Sequence, residues 1–93
     1  LRVCKMVSLD LEVVNALGLH VRACSKLVNC AHKFVATVVL HHNENRADCK
    51  RIIEVMSLGA AYGSKVRVEI SGDDELAAAK ALEALFADGF GEL

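Results

Sequence analysis

The stretch Lys65-Val-Arg-Val-Glu-Ile70 decides the fold, because it shows the clearest alternation of apolar and polar residues in the chain. In an extended segment successive side chains point to opposite faces, so Val66, Val68 and Ile70 would share one face. The charged residues between them would share the other face. This stretch therefore predicts a β-strand that is buried on one face and exposed to water on the opposite face.

Three earlier segments are also predicted to be strands. From Val7 to Val13 the odd positions are apolar and the even positions are polar, which again indicates one wet face. Phe34 to Leu40 is rich in β-branched residues and predicts a second strand, followed by a polar turn from His41 to Asn45. Arg46 to Cys49 predicts a short and polar third strand.

Three helices are predicted between and after these strands. Gly18 breaks the alternation of the first strand, and apolar residues then recur at helical spacing from about His20 to Lys33. Ile52 to Leu58 fits a helix of barely two turns, and a longer helix follows the capping segment Ser71 to Glu75. The apolar stripe of this last helix is predicted to consist of Leu76, Ala79, Leu82 and Phe86.

The resulting order β-α-β-β-α-β-α predicts an α+β sandwich in which helices cover one face of a sheet. The chain has 93 residues, of which 54% are hydrophobic and 25% are charged; this composition excludes a disordered chain and predicts one domain over residues 1–93. A domain of this size has a thin core and little room for an enclosed pocket, so we expect a functional site at the surface.

The charge and hydropathy patterns exclude several classes of function. Eleven basic and twelve acidic residues give a formal net charge of -1, without the basic excess that nucleic-acid binding requires. The apolar runs are far shorter than the ~20 residues of a membrane span. Arg2, Lys5 and Asp10 interrupt the segment that a secretory signal would occupy. We therefore expect a cytoplasmic protein without nucleic-acid binding or membrane insertion.

The cysteines and histidines raise the alternative of a metal-binding or redox-responsive module. The candidate residues for such a module are His20, Cys24, His41, His42 and Cys49. His20 and Cys24 could share one helix face, but no second tight ligand pair accompanies them, and His41 and His42 would point in opposite directions in an extended segment. The sequence favours reduced thiols, with Cys24 and Cys30 as packing residues, and no metal site.

The segment Gly18-Leu-His-Val-Arg22 carries the residues best suited to chemistry. It lies at the turn from the first strand into the first helix, where the helix dipole and unpaired backbone N–H groups can bind an anion. Glycine would let the backbone approach such a ligand closely. The neutral imidazole of His20 is a nucleophile that could attack phosphorus, with Arg22 as a second positive group. A surface histidine without a chemical role fits the same spacing.

Longer motifs around this segment resemble a known family. The segment Val14-Asn-Ala-Leu-Gly-Leu-His-Val-Arg22 looks like the signature of the histidine-containing phosphocarrier (HPr) family of the sugar phosphotransferase system. Lys50 to Gly59 resembles the family's second helix, and Gly63 to Ile70 with Ala81 to Gly91 resembles its last strand and helix. The resemblance implies an HPr-like open-faced β-sandwich, with a four-stranded antiparallel sheet covered on one face by three helices.

Carried over residue by residue, the resemblance assigns a role to each part of the site. His20 would accept phosphate on Nδ1 from phosphorylated Enzyme I and pass it to EIIA-type domains, as a stoichiometric carrier without a cofactor rather than as an enzyme. Arg22 would be the neighbouring cation, and the backbone N–H groups of Val21 and Arg22 would bind the phosphate. The residues expected to contact partners are Leu19, Ile52, Ile53 and Met56. We expect the protein to act as a monomer.

The apolar residues of the second helix also suggest a docking surface without reference to any family. A helix of barely two turns with apolar residues on more than one face cannot bury all of them in one core. We therefore expect at least one of Ile53 and Met56 to be exposed, beside the histidine, where a partner could cover it.

Several positions depart from the family's pattern. Ala23 stands where proline is usual and restores a backbone N–H in the first helical turn. Arg51 stands where many members have a regulatory serine, which argues against control by an HPr-kinase-type enzyme and favours acidic partner surfaces. Residues 1–5 precede the family's usual start at Met6 and are expected to be an extension. The tail Phe86 to Gly91 resembles nitrogen-branch phosphocarriers, so a regulatory paralogue that signals to regulatory proteins through its phosphorylation state remains an alternative.

Overall fold

A computed structural model describes residues 6–93. The predicted extension over residues 1–5 and the thiol of Cys4 lie outside the described residues. In chain order the elements are β1 (Val7–Glu12), α1 (Val21–Ala31), β2 (Thr37–His42), β3 (Asn45–Asp48), α2 (Ile52–Ser57), β4 (Lys65–Ser71), α3 (Glu75–Ala87) and a 3₁₀ turn (Gly89–Gly91).

The four strands form one antiparallel sheet in the order β1-β4-β2-β3. The alternating strand β4 is central, and its Val68 pairs with Leu9 of β1 on one side and with Leu40 of β2 on the other. Val66, Val68 and Ile70 are fully buried, whereas Lys65 and Arg67 are exposed. The predicted one-sided strand is confirmed, and its polar residues form the open face of the sheet.

The helices cover the other face of the sheet and enclose one hydrophobic core. Burying a side chain of the size of Leu or Phe stabilises the fold by roughly 1.5–3 kcal/mol, so a few large residues dominate this core. Its largest fully buried apolar side chains are Phe86, Phe90, Leu27, Leu40, Ile70 and Leu82. This arrangement confirms the predicted α+β sandwich. Within residues 6–93, no helix has the length and apolar character needed to cross a bilayer.

The predicted bounds of the second strand and its following turn are wrong. β2 begins at Thr37 rather than Phe34, because the backbone N–H groups of Val35 and Ala36 donate to the Asp74 carboxylate instead of to a neighbouring strand. β2 also extends through His42, which pairs with Asn45 of β3. The polar turn is correspondingly short, and Asn43 adopts the left-handed conformation there with a φ of 56°.

The predicted apolar stripe of α3 is wrong at one residue. Leu76 is 72% exposed, whereas Ala78 is fully buried and Glu75 is 7% exposed. Because successive residues of a helix are rotated by about 100°, a face that contains Glu75, Ala78 and Ala79 turns Leu76 away from the sheet. The remaining stripe residues, Ala79, Leu82 and Phe86, are buried as predicted.

Candidate functional site

The loop between β1 and α1 brings the chain into a tight turn before His20. The Asn15 side chain donates from Nδ2 to the carbonyl oxygen of Gly18 at 2.7 Å, and the Leu19 N–H donates to the Ala60 carbonyl at 2.9 Å. Gly18 has a φ of 67°, and a Cβ at this position would lie 2.8 Å from the Ala60 oxygen. The close packing of the neighbouring loop therefore requires glycine at this position, a reason that the sequence did not indicate.

His20 is the N-cap residue of α1, with an extended backbone at φ -79° and ψ 176°. Its side chain makes no capping hydrogen bond to the helix, and it is 25% exposed. The ring therefore stands at the positive end of an eleven-residue helix with access to solvent. The structure thus places His20, and the backbone N–H groups of Val21 and Arg22 that follow it, at one helix start.

A carboxylate from the end of the chain completes this site. Glu92 Oε2 lies 2.5 Å from Nε2 of His20, and Glu92 Oε1 accepts a hydrogen bond of 2.9 Å from the Asn15 amide. The Arg22 guanidinium approaches the same Oε2 with distances of 3.4 Å from Nε and 3.5 Å from Nη2. The Glu92 carboxylate therefore contacts the amide of Asn15, the imidazole of His20 and the guanidinium of Arg22.

The contacts of Glu92 fix which atoms donate and which accept. The hydrogen bond from Asn15 holds the pKa of Glu92 below its usual range, and the hydrogen bond from His20 acts in the same direction. Glu92 is therefore ionised at neutral pH and can only accept hydrogen bonds. Nε2 of His20 must then carry the proton, which leaves the lone pair of a neutral ring on Nδ1.

The sequence did not reveal the contact of Glu92 with His20. It is separated from His20 by 72 positions and from Asn15 by 77, and no spacing rule connects residues so far apart. The only sequence signal was its place directly after the glycine-rich tail that ends α3. Asn15 could have been found as the one polar residue in the otherwise apolar run from Val13 to Leu19.

The predicted partner-binding residues do not form one uniform surface. Leu19 is 7% exposed and belongs to the core, so its side chain is not available for contact and the expectation for it is wrong. Ile52 is half-buried and packs against the core. Ile53 is 72% exposed and Met56 is 37% exposed, as the excess of apolar residues on α2 predicted.

Two apolar side chains close to His20 in the sequence are also exposed. Leu17 is 70% exposed and Val21 is 59% exposed. The side chain of Val21 is therefore available to a partner, whereas the sequence predicted a role only for its backbone.

Arg51 precedes α2 and forms an ion pair of 3.1 Å with Glu54, although its own side chain is largely exposed.

The alternative of a metal-binding module finds no support in the geometry. Over residues 6–93, no three His, Cys, Asp or Glu side chains are grouped as a metal ion requires. His41 contacts Glu69 on the open face of the sheet, while His42 contacts the Leu58 carbonyl on the helical side, so these two side chains do point in opposite directions.

The cysteines of residues 6–93 are free thiols. Cys24 and Cys49 are buried and Cys30 is half-buried. Burial raises the pKa of each of them, most strongly that of Cys49, so they remain protonated. A protonated thiol is a weak nucleophile and a poor metal ligand. The packing role predicted for Cys24 and Cys30 agrees with these positions.

Comparison with known proteins identifies the family. A sequence profile described as the phosphorylation site of the PTS HPr component matches residues 7–88. The chain belongs to the HPr family. HPr from Cupriavidus necator is 45% identical over 87 residues, which cover 94% of this chain and 98% of that protein. As a member of this family, the chain is a phosphocarrier of the phosphotransferase system.

A further relative and a solved structure are also similar to nearly the whole chain. The phosphocarrier protein NPr of Escherichia coli K12 is 36% identical over 87 residues, covering 92% of this chain and 97% of that protein. The crystal structure of HPr-C-His from Thermoanaerobacter tengcongensis has a TM-score of 0.86 at 36% identity and covers 96% of this chain and 98% of that one. The HPr-like fold expected from the sequence is confirmed, and Glu92 lies beyond the range matched by the family profile.

Proposed function

We propose that this HPr-family protein accepts a phosphoryl group on Nδ1 of His20 from phospho-Enzyme I and passes it to EIIA-type domains during sugar uptake. It acts in the cytoplasm as a monomeric, stoichiometric carrier and not as an enzyme. The observation that supports this proposal best is the His20 ring itself, which is solvent-accessible at the start of α1 and has its Nε2 directed at Glu92.

The transfer follows from the arrangement of donors and acceptors. The Nδ1 lone pair forms a bond to phosphorus while the bond between phosphorus and the donor breaks, and its electrons leave with the donor. The Nε2 proton stays in place, so the phosphorylated ring is positively charged and its Nε2–H faces the Glu92 carboxylate. The phosphoryl oxygens accept hydrogen bonds from the backbone N–H groups of Val21 and Arg22 and from the Arg22 guanidinium.

Partners dock beside His20 on the exposed apolar residues. Ile53 and Met56 of α2, and Val21, which directly follows His20 in the chain, present exposed apolar side chains for such contacts. Arg51, just before α2, is 70% exposed despite its ion pair with Glu54, so an acidic residue of a partner can still reach it. A relay needs only brief contacts, so an interface at the small end of the usual range is sufficient.

The test is phosphorylation with purified Enzyme I and phosphoenolpyruvate, followed by intact-protein mass spectrometry. The protein gains one phosphate, which acid treatment removes, as expected for a phosphorus–nitrogen bond. The His20→Ala variant takes up no phosphate, while His32→Ala, a control on the exposed end of α1, is phosphorylated normally. Acid-stable phosphate, or uptake by the His20→Ala variant, contradicts the proposal.

A second candidate function is a place in a nitrogen-type or regulatory branch. The 36% identity to NPr of Escherichia coli and the tail Phe86 to Gly91 favour it. The two functions are separated by rates: phosphorylation is measured with a sugar-type Enzyme I and with a nitrogen-type Enzyme I under the same conditions. Faster transfer from the nitrogen-type enzyme supports the regulatory branch, and the reverse supports sugar uptake.

A further inference from the structure

We propose that the open face of the sheet binds a small phosphorylated compound that carries hydroxyl groups, such as a polyol phosphate. The site is a shallow cavity of about 360 Å³, at the lower end of the range of roughly 300–1,000 Å³ found for small-molecule sites. Its lining residues are Asp10, His41, Asn43, Lys65 and Arg67. The helices do not cover this face, so the site is separate from the place of phosphoryl transfer.

The register of the sheet brings the charged side chains of this cavity together. Arg67 of β4 is directly opposite Asp10 of β1 on one side and His41 of β2 on the other. Directly opposite residues project from the same face, with Cβ atoms about 4.5–5.5 Å apart. Lys65 precedes Arg67 by two residues and therefore shares its face. Three neighbouring strands thus contribute two cations, an imidazole and a carboxylate to one cavity.

The two cations of the cavity are poorly compensated by the protein. Arg67 Nε lies 3.7 Å from Oδ1 of Asp10, which is longer than a hydrogen bond, and both side chains are largely exposed. Glu12 is directly opposite Lys65, but within residues 6–93 the Lys65 side chain forms no hydrogen bond or ion pair. A phosphate group between Lys65 and Arg67 accepts charge-assisted hydrogen bonds from both.

The imidazole that lines the cavity is held in a fixed orientation. Nε2 of His41 donates a hydrogen bond of 2.6 Å to Oε1 of Glu69, and the two side chains are 33% and 27% exposed. Nδ1 has no hydrogen-bond partner among the described residues. Arg46 is directly opposite His41 on β3 and adds positive charge outside the cavity itself. The ring therefore offers one free nitrogen to a ligand.

The acceptor groups of the cavity favour a ligand with hydroxyl groups over a bare anion. The Asp10 carboxylate repels phosphate, yet it accepts hydrogen bonds from hydroxyl groups. The Asn43 amide can both donate and accept. A ligand with a phosphate at one end and hydroxyl groups beside it matches both kinds of partner in this lining. Because the cavity is open to water, we expect weak and reversible binding.

The test is titration of the ¹⁵N-labelled protein with glycerol 3-phosphate, followed by NMR. We expect saturating shifts at millimolar concentrations in the amide signals of Arg67 and His41. Inorganic phosphate, which lacks hydroxyl groups, binds about tenfold more weakly, and glycerol alone causes no shift. Unchanged signals of Arg67 and His41, or equal affinity for the two phosphates, overturn the proposal. Binding to phosphatidylglycerol vesicles without a response to glycerol 3-phosphate overturns the choice of a small ligand.

Two variants and a matched control locate the bound phosphate. Lys65→Gln and Arg67→Gln each remove one charge-assisted contact, and we expect the dissociation constant for glycerol 3-phosphate to rise about tenfold in each. The control Lys80→Gln removes an exposed lysine from α3 and leaves this constant unchanged. All three side chains are exposed, so the thermal unfolding midpoints change little. An unchanged constant in both test variants, or an equal rise in the control, contradicts the site.

The variant Asp10→Leu tests the recognition of hydroxyl groups separately. It removes the hydroxyl acceptor and also the repulsion of phosphate, so we expect glycerol 3-phosphate and inorganic phosphate to bind with similar affinity. A retained tenfold preference for glycerol 3-phosphate contradicts the role assigned to Asp10. These titrations use neither Enzyme I nor phosphoenolpyruvate, so their outcome does not depend on the proposed function.

Discussion

At the scale of single residues, the phosphorylated ring that we propose for His20 would carry two charges of opposite sign, and the site offers a partner for each. In the proposed phosphorylated state the phosphoryl oxygens would lie at the first turn of α1 beside Arg22, and Nε2 of the ring would face Glu92 as it does in the unmodified protein. Because Glu92 and the phosphoryl group would both attract Arg22, we expect the guanidinium to move from one to the other during the proposed transfer. Its contacts with Glu92 are long, at 3.4 and 3.5 Å, so such a move loses little.

Replacing Arg22 separates its role in transfer from its role in folding. Because its side chain is 68% exposed, Arg22→Ala leaves the thermal unfolding midpoint nearly unchanged. We expect kcat/KM for phosphorylation to fall by about tenfold or more, since a charge-assisted contact to the phosphoryl group is lost. The control is Arg46→Ala on the open face of the sheet. Equal rates for the two variants would show that Arg22 does not bind the phosphoryl group.

The residues of the site differ in how far the sequence predicts them. His20 and Arg22 lie in one contiguous motif, so local spacing and the family resemblance find both. Glu92 reaches the site only through the packing of α3 and its final turn, which no local pattern encodes. Leu19 was assigned to a surface because it adjoins His20 in the chain, but its N–H is bound to Ala60 and its side chain turns into the core.

At the scale of elements, a substitution in α2 tests the proposed docking surface. Ile53→Asp places a charge on a side chain that is 72% exposed, so stability changes little, but a partner would have to bury that charge. We expect KM for Enzyme I to rise about tenfold, which corresponds to about 1.4 kcal/mol. The matched control is Leu76→Asp, at a residue of α3 that is also 72% exposed. An unchanged KM in Ile53→Asp would exclude α2 from the interface.

The junction between α3 and β2 gives stability a dependence on pH. Asp74 accepts hydrogen bonds of 2.8 Å from the N–H groups of Val35 and Ala36, and the bond from Val35 is the main cause that lowers the pKa of Asp74. A lowered pKa means that the contribution to stability is present above the unfolded value of ~4 and is lost as pH falls through the folded pKa.

The variant Asp74→Asn tests this direction of the pH dependence of stability. Its amide can accept only one of the two hydrogen bonds, because only its oxygen is an acceptor. We expect a lower free energy of unfolding than the unmodified protein at pH 7, measured with urea. The difference should shrink as pH falls below the folded pKa, where the unmodified Asp74 is protonated. A difference that is constant from pH 7 to pH 2.5 would contradict a role for the charged carboxylate.

Elements whose apolar and polar residues alternate regularly were predicted well from the sequence. Segments in which strand-like and turn-like residues are mixed were not. β4 alternates strictly and was found within one residue of its end. The segment Phe34 to Ala36 has strand-like residues, but Asp74, 38 positions away from Ala36, takes up its backbone N–H groups. His41 and His42 look like turn residues, yet the pairing of His41 with both Arg46 and Arg67 keeps them in the sheet.

At the scale of the whole molecule, different residues form the hydrophobic core and the site at His20. A substitution can therefore disturb one without the other. Leu27 is fully buried on α1 and does not reach the site surface. We expect Leu27→Ala to lower the free energy of unfolding by about 2–5 kcal/mol, a large part of the ~5–15 kcal/mol typical of a domain. Its phosphorylation rate at low temperature stays close to normal. A rate loss without a stability loss would contradict this separation.

The central claim is that Nδ1 of His20 receives the phosphoryl group, and one measurement tests it directly. The protein is labelled with ¹⁵N in histidine, phosphorylated with Enzyme I and phosphoenolpyruvate, and examined by phosphorus and nitrogen NMR. The account predicts one phosphorus signal coupled to Nδ1 of His20, with the proton retained on Nε2. Coupling to Nε2, or to a ring nitrogen of His32, His41 or His42, would contradict it.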